Sequence, residues 1–248
     1  MTILKCVAVA ISARRVREGR QCFGKIFRAF NEGNSVIHIL TSKHSDSKLI
    51  MRTEGLLAFG HLEVKVEIHE GGIEEEGREF LSYISNYVIK SGARLQAGET
   101  MSYGYWATKF MAAEDGMLET WEYNAEATRF IKGATLTLRY WKNQNSICKK
   151  YHADFDPPNA DKLSVISKGV LEGLPVQGVR YPSPDHMSGW WITTEQYDGN
   201  IDSLTNEHTY HITAARPELA KYLALPPGFR FDLSSFEDVW FEEEVANA

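Results

Sequence analysis

Hydrophobic and polar positions follow two different periods in the first part of the chain. Residues 62–69 alternate strictly between apolar and polar side chains, which predicts a strand with one exposed face. Residues 74–90 open with three glutamates and then repeat apolar residues at helical spacing, which predicts a helix that Gly92 ends. The same reasoning predicts a helix at residues 19–30 and strands at residues 3–11, 35–40, 118–123 and 135–141.

The pattern changes after Asp156. All eight prolines lie beyond this residue, beginning with Pro157 and Pro158, and such a pair stops any helix or strand that runs into it. We therefore predict two domains, residues 1–156 and residues 157–248. The elements predicted in the second are helices at residues 160–171 and 216–223 and strands at residues 190–194, 207–212 and 229–233.

Both parts indicate an α+β fold class. The first is expected to hold a mixed or antiparallel sheet with at least two helices, and the second to be a smaller α+β unit. A chain of 248 residues with 43% hydrophobic and 24% charged residues has the composition of an ordinary globular protein.

The formal net charge of −6 is unevenly spread along the chain. Residues 1–156 carry a net charge of +2, whereas residues 157–248 carry −8. An acidic second half attracts a basic partner and repels nucleic acid, so we expect a partner with a basic surface and no nucleic acid.

The sequence also bears on the cellular compartment. No apolar run is long enough to span a bilayer, and the apolar stretch at residues 3–11 precedes its arginines, the reverse of a signal peptide. Cys6, Cys22 and Cys148 are far apart, without metal-ligand spacing, and are expected to be free thiols in a reducing compartment. We expect a cytoplasmic protein that does not bind membranes.

No residue pattern predicts catalysis, a metal or a cofactor. Phosphate loops and the G-x-S-x-G nucleophile motif do not occur. His208 and His211 form the one close histidine pair, but on the predicted strand they face opposite sides and cannot share a metal. His152, Asp154 and Asp156 are interpreted as a polar strand end. We therefore expect no enzyme activity and no cofactor.

One basic cluster stands in the first part, where nucleic-acid binding would require exposed aromatic residues between the cations. The neighbouring phenylalanines instead have core-facing helical spacing, so we interpret the cluster as a solvated helix face. Its members are Arg14, Arg15, Arg17, Arg20, Lys25 and Arg28.

The C-terminal tail is the best candidate for a binding site. Aromatic residues anchor protein interfaces, and the charges around them set orientation and association rate. The alternative is a final edge strand whose aromatic residues face the core and whose carboxylates keep the edge soluble. The candidate partner-binding residues are Phe236, Glu237, Asp238, Trp240, Glu242 and Glu243, flanked by Asp232, Phe241 and Glu244.

Three short blocks carry a family resemblance: residues 188–190, residues 223–231 and residues 238–241. They resemble the immunity protein 33 family of bacterial polymorphic-toxin systems, over roughly the last third of the chain. The resemblance implies an antitoxin that binds and neutralises a cognate toxin, by blocking its active site or docking surface. Two other hypotheses remain: a hydrolase with a site between the two parts, and an RNA-binding or scaffold protein that uses the N-terminal arginines.

Overall fold

The computed structural model describes residues 37–45 and 48–248. The strand predicted at residues 3–11, the helix predicted at residues 19–30 and the basic cluster lie outside the described residues. The described part contains two mixed β-sheets with helices packed against them. The predicted α+β fold class is confirmed.

The first sheet has the order β1-β2-β3-β6-β5-β4, and β7 pairs with β6. Neighbouring strands are antiparallel except β3 and β6, which run parallel. The strands predicted at residues 62–69 and 118–123 are confirmed as β3 and β6, and β1 begins inside the predicted 35–40. The strands are β1 His38–Ser45, β2 Lys48–Glu54, β3 Val64–Ile68, β4 Thr100–Tyr103, β5 Trp106–Ala112, β6 Leu118–Tyr123 and β7 Phe130–Lys132.

Helix α1, Glu74–Ser91, follows the prediction closely. The first turn carries Glu74, Glu75 and Glu76, whose negative charge complements the positive end of the helix dipole. Gly92 ends the helix in the left-handed conformation, with φ of 65°. The buried stripe of α1 faces the first sheet and fixes the helix on it.

The strand predicted at residues 135–141 is wrong, because this segment begins helix α2, Thr135–Lys150. Its β-branched and aromatic residues favour a strand locally. A neighbouring strand overrides that preference: the buried Glu122 carboxylate accepts hydrogen bonds from the backbone N–H of Leu136 (2.9 Å) and Thr137 (2.7 Å). Glu122 thereby satisfies two backbone donors that a helix start leaves without partners.

The second sheet has the order β11-β8-β10-β9-β12-β13, with β8 and β10 parallel and the other neighbours antiparallel. The strands predicted at residues 190–194 and 229–233 are confirmed as parts of β10 and β12, and a 3₁₀ helix, Pro217–Tyr222, lies in the helix predicted at 216–223. The elements are β8 Leu163–Ile166, β9 Val176–Arg180, β10 Met187–Thr194, β11 Thr205–His208, α3 Thr209–Ala215, β12 Phe229–Asp232, β13 Asp238–Phe241 and α4 Glu243–Ala246.

Two further predictions in this part are wrong. The segment 160–171, predicted as a helix, contains strand β8 because it is hydrogen-bonded between β10 and β11 in the sheet. The segment 207–212, predicted as one strand, leaves the sheet at His208 and continues as α3. At β8, long-range strand pairing outweighs the local helical pattern, whereas α3 begins where the pairing of β11 with β8 ends.

The described residues form two hydrophobic cores that meet along α2. Leu138 belongs to the core of the first sheet, whereas Ile147 and Cys148 belong to the core of the second. Tyr105, from the turn between β4 and β5, and Trp106, the first residue of β5, also pack into the second core. The predicted boundary at residue 157 stays a prediction, and the second core includes side chains from before it.

Candidate partner-binding surface

The three blocks that carry the family resemblance meet in the core of the second sheet. The indole N–H of Trp190 donates to the carbonyl of Leu223 at 3.1 Å, and the rings of Trp190 and Phe231 lie 5.3 Å apart. Phe231 in turn pairs in register with Val239 of β13. The resemblance therefore rests largely on residues that build the fold, and it places the C-terminal tail at the edge of that core.

Arg180 holds these segments together from inside the protein. Its buried guanidinium donates to the carbonyls of Ser188 (3.1 Å), Leu225 (2.6 Å) and Asp156, and it lies 3.3 Å from the Asp156 carboxylate. Burial lowers the pKa of Arg180, and the Asp156 charge opposes that shift. Three carbonyls and a carboxylate satisfy the buried cation, so Arg180 is a structural residue.

The candidate tail forms the exposed edge of the second sheet. Strand β13 is the last strand in the order, and only Val239 of its four residues is buried, at 6% exposure. Phe236, Trp240 and Phe241 are 74%, 39% and 52% exposed. Large aromatic side chains exposed together at a sheet edge are typical of a surface that binds another molecule.

Two of the predicted carboxylates are neutralised by cations of this chain. Glu237 binds Lys150 at 2.9 Å and Lys221 at 3.1 Å, and these contacts, led by the hydrogen bond from Lys150, lower the pKa of Glu237 to about 2. Glu242 binds Arg230 at 2.5 Å, and Arg230 also lies 5.8 Å from the ring of Trp240. These cations fix the two glutamates, and Arg230 also holds Trp240 in place.

The other carboxylates of the tail lack such compensation. Asp238 lies directly opposite Asp232 across the β12–β13 pair, and like charges in that position destabilise a sheet. Asp232 accepts a hydrogen bond from Gln177 at 2.7 Å, while Asp238, Glu243 and Glu244 are exposed and have no ion pair within the described residues. The edge thus presents uncompensated negative charge beside exposed aromatic rings.

A shallow groove of about 290 Å³ lies next to this edge. Leu233 and Phe236 form its apolar side, and Lys221 and Glu237 contribute charged groups. A groove of this volume has room for one or two side chains, and it adjoins the exposed aromatic rings of the edge.

Other cavities and side-chain clusters in the described part of the chain give less support for a binding or catalytic site. A cavity of about 40 Å³ on the first sheet is lined by Lys65, Glu67, Glu119 and Lys132, and Lys132 pairs with Glu119 at 2.6 Å. This volume is far smaller than a substrate pocket. Across residues 37–45 and 48–248, no three His, Cys, Asp or Glu side chains are placed to hold a metal ion.

The histidine pair is placed differently from the prediction. His208 ends β11 and His211 lies in the first turn of α3, so the two rings are 5.9 Å apart and not on opposite sides of a strand. The Nδ1 atom of His208 lies 2.6 Å from the carbonyl oxygen of Asp161, and that of His211 contacts the Glu207 carboxylate. Both rings are engaged in contacts within the protein.

Sequence reasoning found the tail but missed the cations that organise it. Lys150 comes from the end of α2 and Arg230 from β12, and both reach the tail only after the sheet has formed. The residues missed share no local pattern with the tail.

Among the described helices, none is long and apolar enough to cross a membrane.

Comparison with protein families agrees with the division into two cores. Residues 143–242 match the Imm33-like domain, which confirms the resemblance of the C-terminal part to the immunity protein 33 family. Residues 52–138 match a domain of unknown function, DUF4261. The DUF4261 match ends and the Imm33-like match begins within α2, the helix that contributes to both cores. Neither the curated proteins nor the solved structures contain a match to this chain.

Proposed function

We propose that this protein is an immunity protein that binds a cognate bacterial toxin and neutralises it without catalysis. The observation that supports this function best is that the Imm33-like segment ends in an exposed, acidic and aromatic sheet edge. The proposed partner-binding residues are Phe236, Glu237, Asp238, Trp240, Glu242 and Glu243. Within this set, Glu237 and Glu242 orient the surface through their own cations, and the others face the toxin.

The charge distribution favours a toxin with a basic surface. Residues 157–248 carry a net charge of −8, and Asp238 adds an unpaired carboxylate at the edge itself. Opposite charge accelerates encounter between proteins, and a toxin that attacks nucleic acid needs a basic cleft. The same negative charge disfavours nucleic acid as a direct partner. We propose that the protein acts in the cytoplasm, because its three widely spaced cysteines fit free thiols in a reducing compartment.

The test neutralises two of the uncompensated charges and compares the variant with a matched control. Asp238→Asn with Glu243→Gln removes two negative charges from the edge without touching the pairs made by Glu237 and Glu242. Binding is measured at low and high salt against a toxin whose lethal effect in cells the unaltered protein suppresses. We expect association to slow roughly tenfold or more at low salt, with a weaker salt dependence. Cells that express the toxin should lose protection in parallel.

The control variant carries Glu54→Gln, in β2, and Glu114→Gln, in the turn between β5 and β6, which remove the same charge from exposed positions in the first part of the chain. It should bind and protect like the unaltered protein. Asp238→Asn also removes the like-charge contact with Asp232, so the melting temperature should stay unchanged or rise slightly. Unaltered kinetics in the edge variant would place the site elsewhere, and no binding by the unaltered protein would refute the proposed function.

A further inference from the structure

We propose that the toxin binds by adding an extended segment, basic on one face, to β13 as a new strand of the second sheet. This inference rests on the proposed function and specifies how the same surface works. Strand addition uses the backbone of an exposed sheet edge for affinity and the flanking side chains for specificity.

The register of β13 shows which backbone groups are available. The N–H of Glu242 donates to the carbonyl of Gly228 at 2.9 Å, and Arg230 and Asp232 lie opposite Trp240 and Asp238. In an antiparallel pair every second residue directs its backbone N–H and C=O towards the neighbouring strand. Since Glu242 is bonded to β12, the backbone groups of Trp240 and Asp238 also face β12. The N–H and C=O groups of Val239 and Phe241 therefore face outward, and no described residue pairs with them.

The side chains of β13 specify the chemistry of the added strand. Asp238 and Trp240 project to the exposed face of the sheet, whereas Val239 projects into the core. A lysine or arginine opposite Asp238 would gain an ion pair and relieve the repulsion between Asp238 and Asp232. An apolar residue on the other face of the strand would cover the exposed part of Phe241, which is 52% exposed. The segment that fits alternates basic and apolar residues.

Self-association through the same edge is disfavoured. Two copies paired antiparallel about Trp240 would place Asp238 of each copy opposite Glu242 of the other. Glu243 and Glu244 of both copies would gather near the same interface, which adds repulsion between like charges. Acidic residues on an edge strand commonly prevent such pairing, so the charge that attracts a basic strand also excludes a second copy.

The test distinguishes the contribution of the Phe241 backbone N–H to toxin binding from that of the Phe241 side chain. Phe241→Pro removes the ring and the outward N–H, whereas Phe241→Ala removes the ring alone. We expect Phe241→Pro to bind the same toxin roughly tenfold more weakly than Phe241→Ala, because one intermolecular hydrogen bond is lost. Thermal melts of both variants check that the fold is kept.

A second measurement uses the unaltered protein and so does not depend on the folding of a variant. Amide hydrogen exchange should show the Val239 and Phe241 N–H groups exchanging rapidly alone and becoming protected in the complex. If the toxin binds while these amides stay unprotected, strand addition is wrong and the proposed function stands. If the toxin does not bind at all, both are refuted. A β13-dependent dimer of this protein would also overturn the inference.

Discussion

Individual carboxylates of the tail have different roles, although they look equivalent in the sequence. Glu237 sits between Lys150 and Lys221, whereas Asp238, the next residue, lies opposite another aspartate. The first arrangement stabilises an ionised carboxylate, and the second leaves charge uncompensated at the surface. Local repulsion that persists in a folded protein is typical of a functional surface.

Glu237 gives a prediction on pH dependence. Its pKa is lowered to about 2 in the folded protein against an ordinary value of 4.5. A lowered carboxyl pKa means that its stabilising contribution is full above about pH 4.5 and is lost as the pH falls towards 2. We expect Glu237→Gln to lower the melting temperature above about pH 4.5. The difference in melting temperature between this variant and the unaltered protein should shrink as the pH falls below that value.

The lysines provide the control for this titration. Lys150→Met with Lys221→Met removes both cations, so the pKa of Glu237 should return towards its ordinary value when followed by NMR of the side-chain carboxyl carbon. Because the carboxylate is partly exposed, solvent screens the pair and the effect on stability is expected to be small. A pKa near 2 that persists in this variant would contradict the assignment of the shift to the lysines.

At the scale of elements, α2 is the segment on which the rest of the architecture depends. Its first turn is held by Glu122 of β6, and its later turns pack into the second core through Ile147 and Cys148. One helix thus contributes side chains to both cores, together with Tyr105 and Trp106, which pack into the second core from the first part of the chain. The Glu122 carboxylate is the contact that sets the start of this helix.

Glu122→Gln tests this contact. The two carboxylate oxygens of Glu122 each accept a backbone N–H, from Leu136 and Thr137. An amide has one oxygen and one NH₂ group, so one of the buried donors would face another donor. We expect a loss of about 1–3 kcal/mol in the free energy of unfolding, measured by chemical denaturation. Glu126→Gln, at an exposed turn, serves as the control and should change stability by less than about 0.5 kcal/mol.

At the scale of the whole molecule, the question is where the second unit begins. The proline pattern predicts residue 157, while the second core includes Tyr140, Ile147 and Cys148 of α2. We expect a fragment of residues 135–248 to unfold cooperatively and a fragment of residues 157–248 to melt at a lower temperature or without a cooperative transition. The reason is that the shorter fragment exposes the apolar surface that α2 covers. Equal melting of the two fragments would support a unit that starts at residue 157.

Elements whose hydrophobic pattern and end signals agree could be predicted from the sequence alone, such as α1 with its glutamates and Gly92, and β6 with its alternation. The sequence also located the acidic, aromatic tail and the family resemblance. Helix α2 and strand β8 could not be predicted from the local pattern, because each depends on contacts with other elements: α2 on Glu122 of β6, and β8 on its pairing with β10 and β11. The end of β11 at His208, where α3 begins, likewise shows only in the folded protein. The folded structure also determines which tail carboxylates are compensated and which backbone groups stay open. The first property depends on contacts of Lys150, Lys221 and Arg230 with the tail, and the second on the register of β13 against β12. A local pattern carries no signal of such long-range contacts.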